Sequence, residues 1–306
     1  MRNTVHLLLV FMVGALVGAG ACTAGDLSDG FGVFGGDRVA VVHVEGAIGV
    51  AGSSLLGGGG VSADTVTDWL RRAERDRSVK AVVLRVNSPG GGVTPSDEIR
   101  NQVLKLRDKK PVVVSMGSLA ASGGYYISAP ANVIMANETS LTGSIGVITT
   151  IPNVQGLMEK VGVSVDVLKS GEEKGATSML RPLAESSRAI MQGVVDDAYD
   201  RFVQVVAQGR SLPADKVRAL ADGRIYTARQ AKDLGLIDAY GDLPEAIVKA
   251  AELGGIPGTP RVTRYQQRGS LLQQLSGGLT ESFDLSALSG QMTGQTSVSV
   301  QYLFVP

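Results

Sequence analysis

Residues 79–86 read VKAVVLRV, a run so nearly continuous in apolar, β-branched residues that it suits a strand buried on both faces. PVVVSM at 111–116 has the same character, and RVAVVHVE at 38–45 reads as an earlier strand. Helical patterns separate these runs. Ser62 to Arg77 places Val66, Trp69, Leu70 and Ala73 on one face at helical spacing. Thr94-Pro95-Ser96-Asp97 reads as a second helix start, with an N-cap, proline at N1 and acids in the first turn. Its apolar face uses Ile99, Val103 and Leu106. Such alternation predicts an α/β fold with a largely parallel sheet and right-handed crossovers. Asn132 to Ala136 and Val163 to Leu168 are further candidate strands. After Leu183 the pattern turns mostly helical through Leu253, and from Pro260 onward it is polar and Gly/Ser-rich, as a partly ordered tail would be. No internal repeat is visible.

With 306 residues, 44% of them apolar, the chain is long enough to bury a sizeable core. The formal net charge is zero and no basic stripe appears, so nothing in it invites nucleic acid. Many of the 40 glycines fall in short clusters between apolar runs, where tight turns or close backbone approach need them; only Gly57 to Gly60 resembles low complexity. The single cysteine, Cys22, rules out an intramolecular disulfide, so the compartment must be read from the N-terminus.

There Arg2 precedes an apolar run from Val5 to Ala21, the layout of an export signal. Ala19, Gly20 and Ala21 lead straight into Cys22, which resembles a bacterial lipoprotein signal with a lipidated cysteine, although Ala19 stands where leucine is usual. The alternative is an uncleaved anchor, since Val5 to Gly25, though rich in Gly and Ala, reaches the length of about 20 residues that a membrane span needs. Both readings, and a third in which the domain is fully released, put the body of the protein on the extracytoplasmic, periplasmic side of a bacterial membrane. Residues 1–25 are thus expected to be signal or anchor, 26–37 a flexible tether, 38–265 the folded domain and 266–306 a C-terminal tail.

Three small-residue clusters lie at or near strand ends. Asn87-Ser88-Pro89-Gly90-Gly91-Gly92 follows the strand ending at Val86; it suits a βα turn, and it also exposes backbone N–H groups able to stabilise an oxyanion. Ala120-Ala121-Ser122-Gly123-Gly124-Tyr125-Tyr126 lets the chain turn sharply from strand to helix, with Ser122 at the helix start and the Gly123 N–H beside it as an oxyanion donor. A lone serine at that place equally suits an ordinary N-cap. Histidine is scarce: His6 lies in the export segment and His43 inside the first core strand, so a Ser-His-Asp triad is not expected. No Gly-x-Ser-x-Gly is centred on Ser122, and Ser-x-x-Lys occurs nowhere. A nucleophilic serine here needs lysine as its base, with the amine's ordinary pKa of about 10.4 brought down by an apolar, water-poor setting. Lys169 and Lys174 are both candidates, and composition does not separate them. The third cluster, Leu141 to Val147 (LTGSIGV), offers the Ser144 hydroxyl as the group that orients such a lysine.

Together these segments resemble the signal peptide peptidase A family. The matching text is NSPGG at 87–91, SLAASGGYYISAPA at 118–131, SLTGSIGV at 140–147, KSGEEKGATSMLRPL at 169–183 and DGRIYTARQAKDLGLID at 222–238. The resemblance covers roughly residues 38–265. It implies a ClpP/crotonase-like fold and a Ser-Lys dyad, with Ser122 as nucleophile, Lys174 as general base, Ser144 as the lysine's hydrogen-bond partner, and Gly91 and Gly123 as oxyanion hole. Gly175 and Ala228 depart from the residues frequent in the family, at positions that carry no chemistry. The implied enzyme is a membrane-attached serine endopeptidase acting on remnant signal peptides through an acyl-enzyme, in a homo-oligomeric ring, with no metal, cofactor or ATP. Rival readings are a catalytically silent scaffold of the same fold, a crotonase-type acyl-CoA enzyme and a related Ser-Lys protease acting on a stomatin-like partner.

Overall fold

The computed structural model describes residues 36–49, 60–267 and 300–303. The export segment, Cys22, most of the tether and residues 57–59 of the glycine run lie outside the described residues.

Six parallel strands run side by side in one sheet: β10 (Ala239–Tyr240), β7 (Val133–Ala136), β6 (Val112–Ala121), β4 (Val79–Ser88), β1 (Arg38–Glu45) and β11 (Arg261–Tyr265). Alternate residues of the central strands feed two separate cores. Ala40, Val42, Val44, Leu84, Val114 and Met116 face one layer, whereas Val39, Val41, Ala81, Val83 and Val113 face the other. Burial on both faces explains why these strands read as continuous apolar runs.

The first layer holds α1 (Ala63–Arg75), α2 (Val93–Arg107), α3 (Gly123–Ser128) and the C-terminal half of α5 (Glu185–Arg210), with Val66, Leu70, Ile99, Val103, Phe202 and Val206 buried. Ser62 caps α1 by accepting from the Thr65 N–H at 3.2 Å. On the other face α8 (Leu243–Leu253) buries Ala246, Ala250 and Ala251. It starts at a capping box in which the Asp242 N–H donates to Glu245 Oε2 at 2.9 Å.

Past the level where β7 ends, β6 continues and takes a new parallel neighbour, β8 (Leu141–Gly143), which pairs antiparallel with β9 (Ile225–Thr227). A second, smaller sheet has the order β12 (Gln301–Leu303), β5 (Gly90–Gly92), β2 (Ile48–Gly49), β3 (Val61–Ser62). The remaining helices are α4 (Gln155–Lys160), α6 (Ala214–Leu220) and α7 (Ala228–Asp233).

Three expectations change. Helix α2 begins at Val93 behind Gly92, with no side-chain cap and no acid in its first turn; Thr94 lies inside it. Val163 to Leu168 forms no strand and is exposed throughout, because no neighbouring strand pairs with it. The segment after Pro260 is not all tail. Arg261–Tyr265 pairs with β1 at the sheet edge, with Val262 packed against one core and Tyr265 against the other, and Gln301–Leu303 joins the second sheet.

Candidate active site

Ser122 stands at the join between β6 and α3. Its backbone is held at φ 52° and ψ −116°, a conformation that L-residues rarely adopt. The turn is pinned from both sides: the Ser122 N–H donates to the Gly143 carbonyl at 2.8 Å, and its own carbonyl accepts from the Tyr126 N–H at 2.8 Å. Only 1% of the residue is exposed, and among the described residues its Oγ has no hydrogen-bond partner. An orphaned buried hydroxyl is costly, and strain of this kind concentrates at functional sites.

The parallel pairing of β6 with β8 sets Ala121 opposite Gly143, so Ser144 leaves the sheet beside Ser122. Ser144 also has positive φ, at 49°, is 6% exposed, and donates its N–H to the Arg224 carbonyl at 2.8 Å. The glycine cluster closes the other side. A Cβ built on Gly123 would lie 2.7 Å from Ser96 Oγ and 3.1 Å from the Gly91 nitrogen, so the two expected oxyanion peptides converge. Gly91 tolerates no side chain, since a Cβ there would stand 1.8 Å from the Ile48 carbonyl oxygen. Helix α3 has only six residues, so its dipole is a small addition to these directed N–H groups.

Two partners of this site carried no sequence signal that would mark them as such. Ser96 looked like part of a helix start, yet its Oγ is fully buried, unpartnered among the described residues, and next to Gly123. Tyr302 lies in what read as tail, although SVSVQYLFV at 297–305 has the alternation of a strand.

Lysine is the exception to the convergence. Lys174 lies on an exposed turn, where its N–H donates to the Gly171 carbonyl at 3.1 Å, and it is not hydrogen-bonded to Ser122. Gly175 follows at φ 75°, a left-handed position that glycine fills without strain. The turn is tied to the start of α5: Ser187 Oγ donates to Glu173 at 2.7 Å, and Arg181 Nη2 donates to the Gly175 carbonyl at 3.0 Å. Hydrogen bonds from Ser187 and Ser186 hold the Glu173 carboxyl below the usual carboxylate range. Lys169, the other candidate, donates to the Glu172 carbonyl at 2.6 Å. His43 pairs with Glu45 at 2.9 Å, and the register sets it in line with Arg85 and Ser115, well back along the sheet from Ser122.

A strained, buried serine at a strand end, beside the Gly91 and Gly123 peptides and with no histidine next to it among the described residues, fits the class of serine hydrolases that work without a triad. Similarity to known proteins narrows this. Residues 105–256 match the family model of peptidase family S49, a stretch containing Ser122, Ser144 and Lys174. A putative protease of Synechocystis is 42% identical over 204 residues, covering 66% of this chain and 74% of that protein. Protease 4 of Haemophilus influenzae is 43% identical over 218 residues, 71% of this chain but 35% of its own length. A putative signal peptide peptidase SppA of Enterococcus faecium is 44% identical over 179 residues, 58% of this chain and 52% of that protein. The chain thus spans about a third of Protease 4 and about half of the Enterococcus relative. It belongs to peptidase family S49, whose members are serine-type peptidases with a ClpP/crotonase-like fold.

Proposed function

We propose that this chain is a membrane-attached serine endopeptidase that degrades cleaved signal peptides and other apolar peptides through a Ser122–Lys174 dyad, with the lysine supplied by a second copy in a ring. The observation that carries the reading is the buried Ser122 Oγ, strained into place and without a partner. Lys174 is exposed on the same chain, so the amine must reach Ser122 from elsewhere. In the segment that precedes it in sequence, Leu157, Val161, Val163, Val165, Val167 and Leu168 are all exposed, Leu168 by 99%. An apolar surface of that kind favours docking on a neighbouring copy, which would bury the lysine.

In this mechanism neutral Lys174 takes the Ser122 proton as Oγ attacks the scissile carbonyl. The Gly91 and Gly123 N–H groups hold the oxyanion, and Ser144 orients the amine. Lys174 then protonates the leaving nitrogen, and water hydrolyses the acyl-enzyme. The name of the Enterococcus relative supports signal peptides as substrates. The apolar N-terminal segment and Cys22 support attachment to a membrane with the domain on the extracytoplasmic side; among the described residues no helix is long and apolar enough to cross one.

The test is hydrolysis of a fluorogenic apolar peptide by the full chain, beside Ser122→Ala, Lys174→Met and Lys169→Met. Wild type and Lys169→Met should cut, while the other two lose at least ~10²-fold. Mixing Ser122→Ala with Lys174→Met before assembly should restore part of the activity, because some interfaces then pair an intact serine with an intact lysine. Retained activity in Lys174→Met would remove it as base. A mixture that assembles and stays inactive would remove the shared site, and a folded wild type that never cuts would leave the silent scaffold.

A further inference from the structure

Helices α1 and α2 pack side by side and both end at the edge where β4 and β6 begin, the opposite end of those strands from Ser122. Gln102 donates to Glu74 at 3.0 Å, Lys109 pairs with the same carboxylate, and Lys110 Nζ donates to the Ala73 and Asp76 carbonyls at 2.7 Å each. This packing concentrates charge. Residues 71–80 and 105–110 together hold nine Lys or Arg against three Asp or Glu, in a chain whose formal net charge is zero. Neither segment reads as a basic stripe by itself; the two helices bring them together. Between them lies a cleft of about 360 Å³ walled by Arg71, Arg75, Lys105 and Lys109, with Glu74 and Asp108. That volume falls within the range of roughly 300–1,000 Å³ for small-ligand sites.

Cations in the last turn of a helix ordinarily complement its dipole. Here that task is already filled for α1, whose last carbonyls are taken by Lys110, and Glu74 is committed to Lys109 and Gln102. Arg71, Arg75 and Lys105 are exposed and make no hydrogen bond or ion pair among the described residues. The cleft therefore carries an uncompensated positive charge that an anion would balance. Its place says which anion. The Arg38 N–H donates to the Ser78 carbonyl at 2.8 Å, and Lys80 pairs with Asp37 at 3.4 Å, so the chain enters the domain beside the turn that ends α1. The apolar run from Val5 to Ala21 is thus connected, through residues 22–37, to the edge that carries the cleft. A membrane holding that run keeps headgroup phosphates at high effective concentration near this edge.

We propose that the cleft between the ends of α1 and α2 is a docking site for the headgroup phosphates of anionic phospholipids, seating the domain on the membrane by this edge. The inference rests on the membrane-attached reading above. Seated so, Ser122, at the far end of the ten-residue β6, stands about 30 Å from the lipid.

Trp69 is the chain's single tryptophan and lies on α1, about 10 Å along the axis from Arg75. The experiment places the full chain on vesicles of phosphatidylcholine, with or without phosphatidylglycerol, that carry a dansyl headgroup acceptor, and reads co-flotation and energy transfer from Trp69. Wild type should float with both. Its transfer should rise about twofold with phosphatidylglycerol and fall back in about 0.5 M NaCl, where screening removes the attraction. Arg75→Gln with Lys105→Gln should still float and lose most of the rise, while hydrolysing a soluble peptide in detergent as wild type does. Lys216→Gln with Arg229→Gln, the same loss of charge at exposed positions elsewhere, should keep the rise. If transfer is the same in both lipids, or both pairs of substitutions lower it equally, headgroup docking is overturned and membrane attachment stands. If the chain floats with neither vesicle, both fall.

Discussion

Ala121 of β6 lies opposite Gly143 of β8, so Ser122 and Ser144 leave the sheet side by side, both at positive φ, and the Ser122 N–H is anchored on the Gly143 carbonyl. One register therefore positions both hydroxyls. Neither serine reaches this geometry alone, because positive φ in a non-glycine residue persists only where neighbours over-determine it.

Ser144→Ala removes one hydroxyl and keeps that register. If Ser144 orients the incoming lysine, kcat should fall by about 10- to 100-fold with KM nearly unchanged. The split between kcat and KM in steady-state peptide hydrolysis is the check; an equal rise in KM would mean a binding role instead.

Gly91→Ala should remove activity more severely than its size suggests. Its Cβ would stand 1.8 Å from the Ile48 carbonyl oxygen, so β5 must shift away from β2 and carry the Gly91 N–H, the proposed oxyanion donor, with it. Loss of one such donor costs roughly 10²–10³ in kcat. Circular dichroism should show a folded chain, since the main sheet does not depend on this strand.

Asp97 gives a pH dependence with a definite sign. Burial raises its carboxyl pKa, but hydrogen bonds from Tyr126 at 2.5 Å and Asn101 at 2.8 Å, with the Arg201 guanidinium at 3.2 Å, outweigh burial and hold it below the usual range. A carboxyl with depressed folded pKa stabilises fully above its unfolded pKa of about 3.9, and that contribution is lost as pH falls through the folded value. The advantage of wild type over Asp97→Asn, about 1 kcal/mol or less after discounting for solvent screening, should be present at pH 6 and shrink between pH 4 and 2. Urea midpoints at each pH measure it.

Tyr125→Phe tests the link between the Ser122 turn and the following chain. Tyr125 is fully buried and its hydroxyl donates to the Leu236 carbonyl at 2.9 Å, tying α3 to the loop after α7. Removing the hydroxyl strands a buried acceptor and should cost about 1–3 kcal/mol, read as a lowered urea midpoint at unchanged slope.

The α/β class, the parallel core strands, helix α1 and the glycine and serine clusters were legible in the sequence because each rests on local signals. Continuous apolar runs mark strands buried twice, 3.6-residue spacing marks helix faces, and small residues mark sharp turns. What only the tertiary structure decided depends on which distant backbones lie side by side. The pairing of β6 with β8 brings Ser144 to Ser122, residues whose spacing carries no record of the strand register that joins them. Asp97 meets Tyr126 and Arg201 for the same reason. Lys174 reads as a base from its resemblance, yet the fold of the chain leaves it in solvent. Strand β12 is the sharpest case: the alternation of SVSVQYLFV is legible, but nothing local says which backbone residues 301–303 will pair with. The ladder to Gly90–Gly92 and the aromatic pocket of Tyr126 and Phe202 are what hold them.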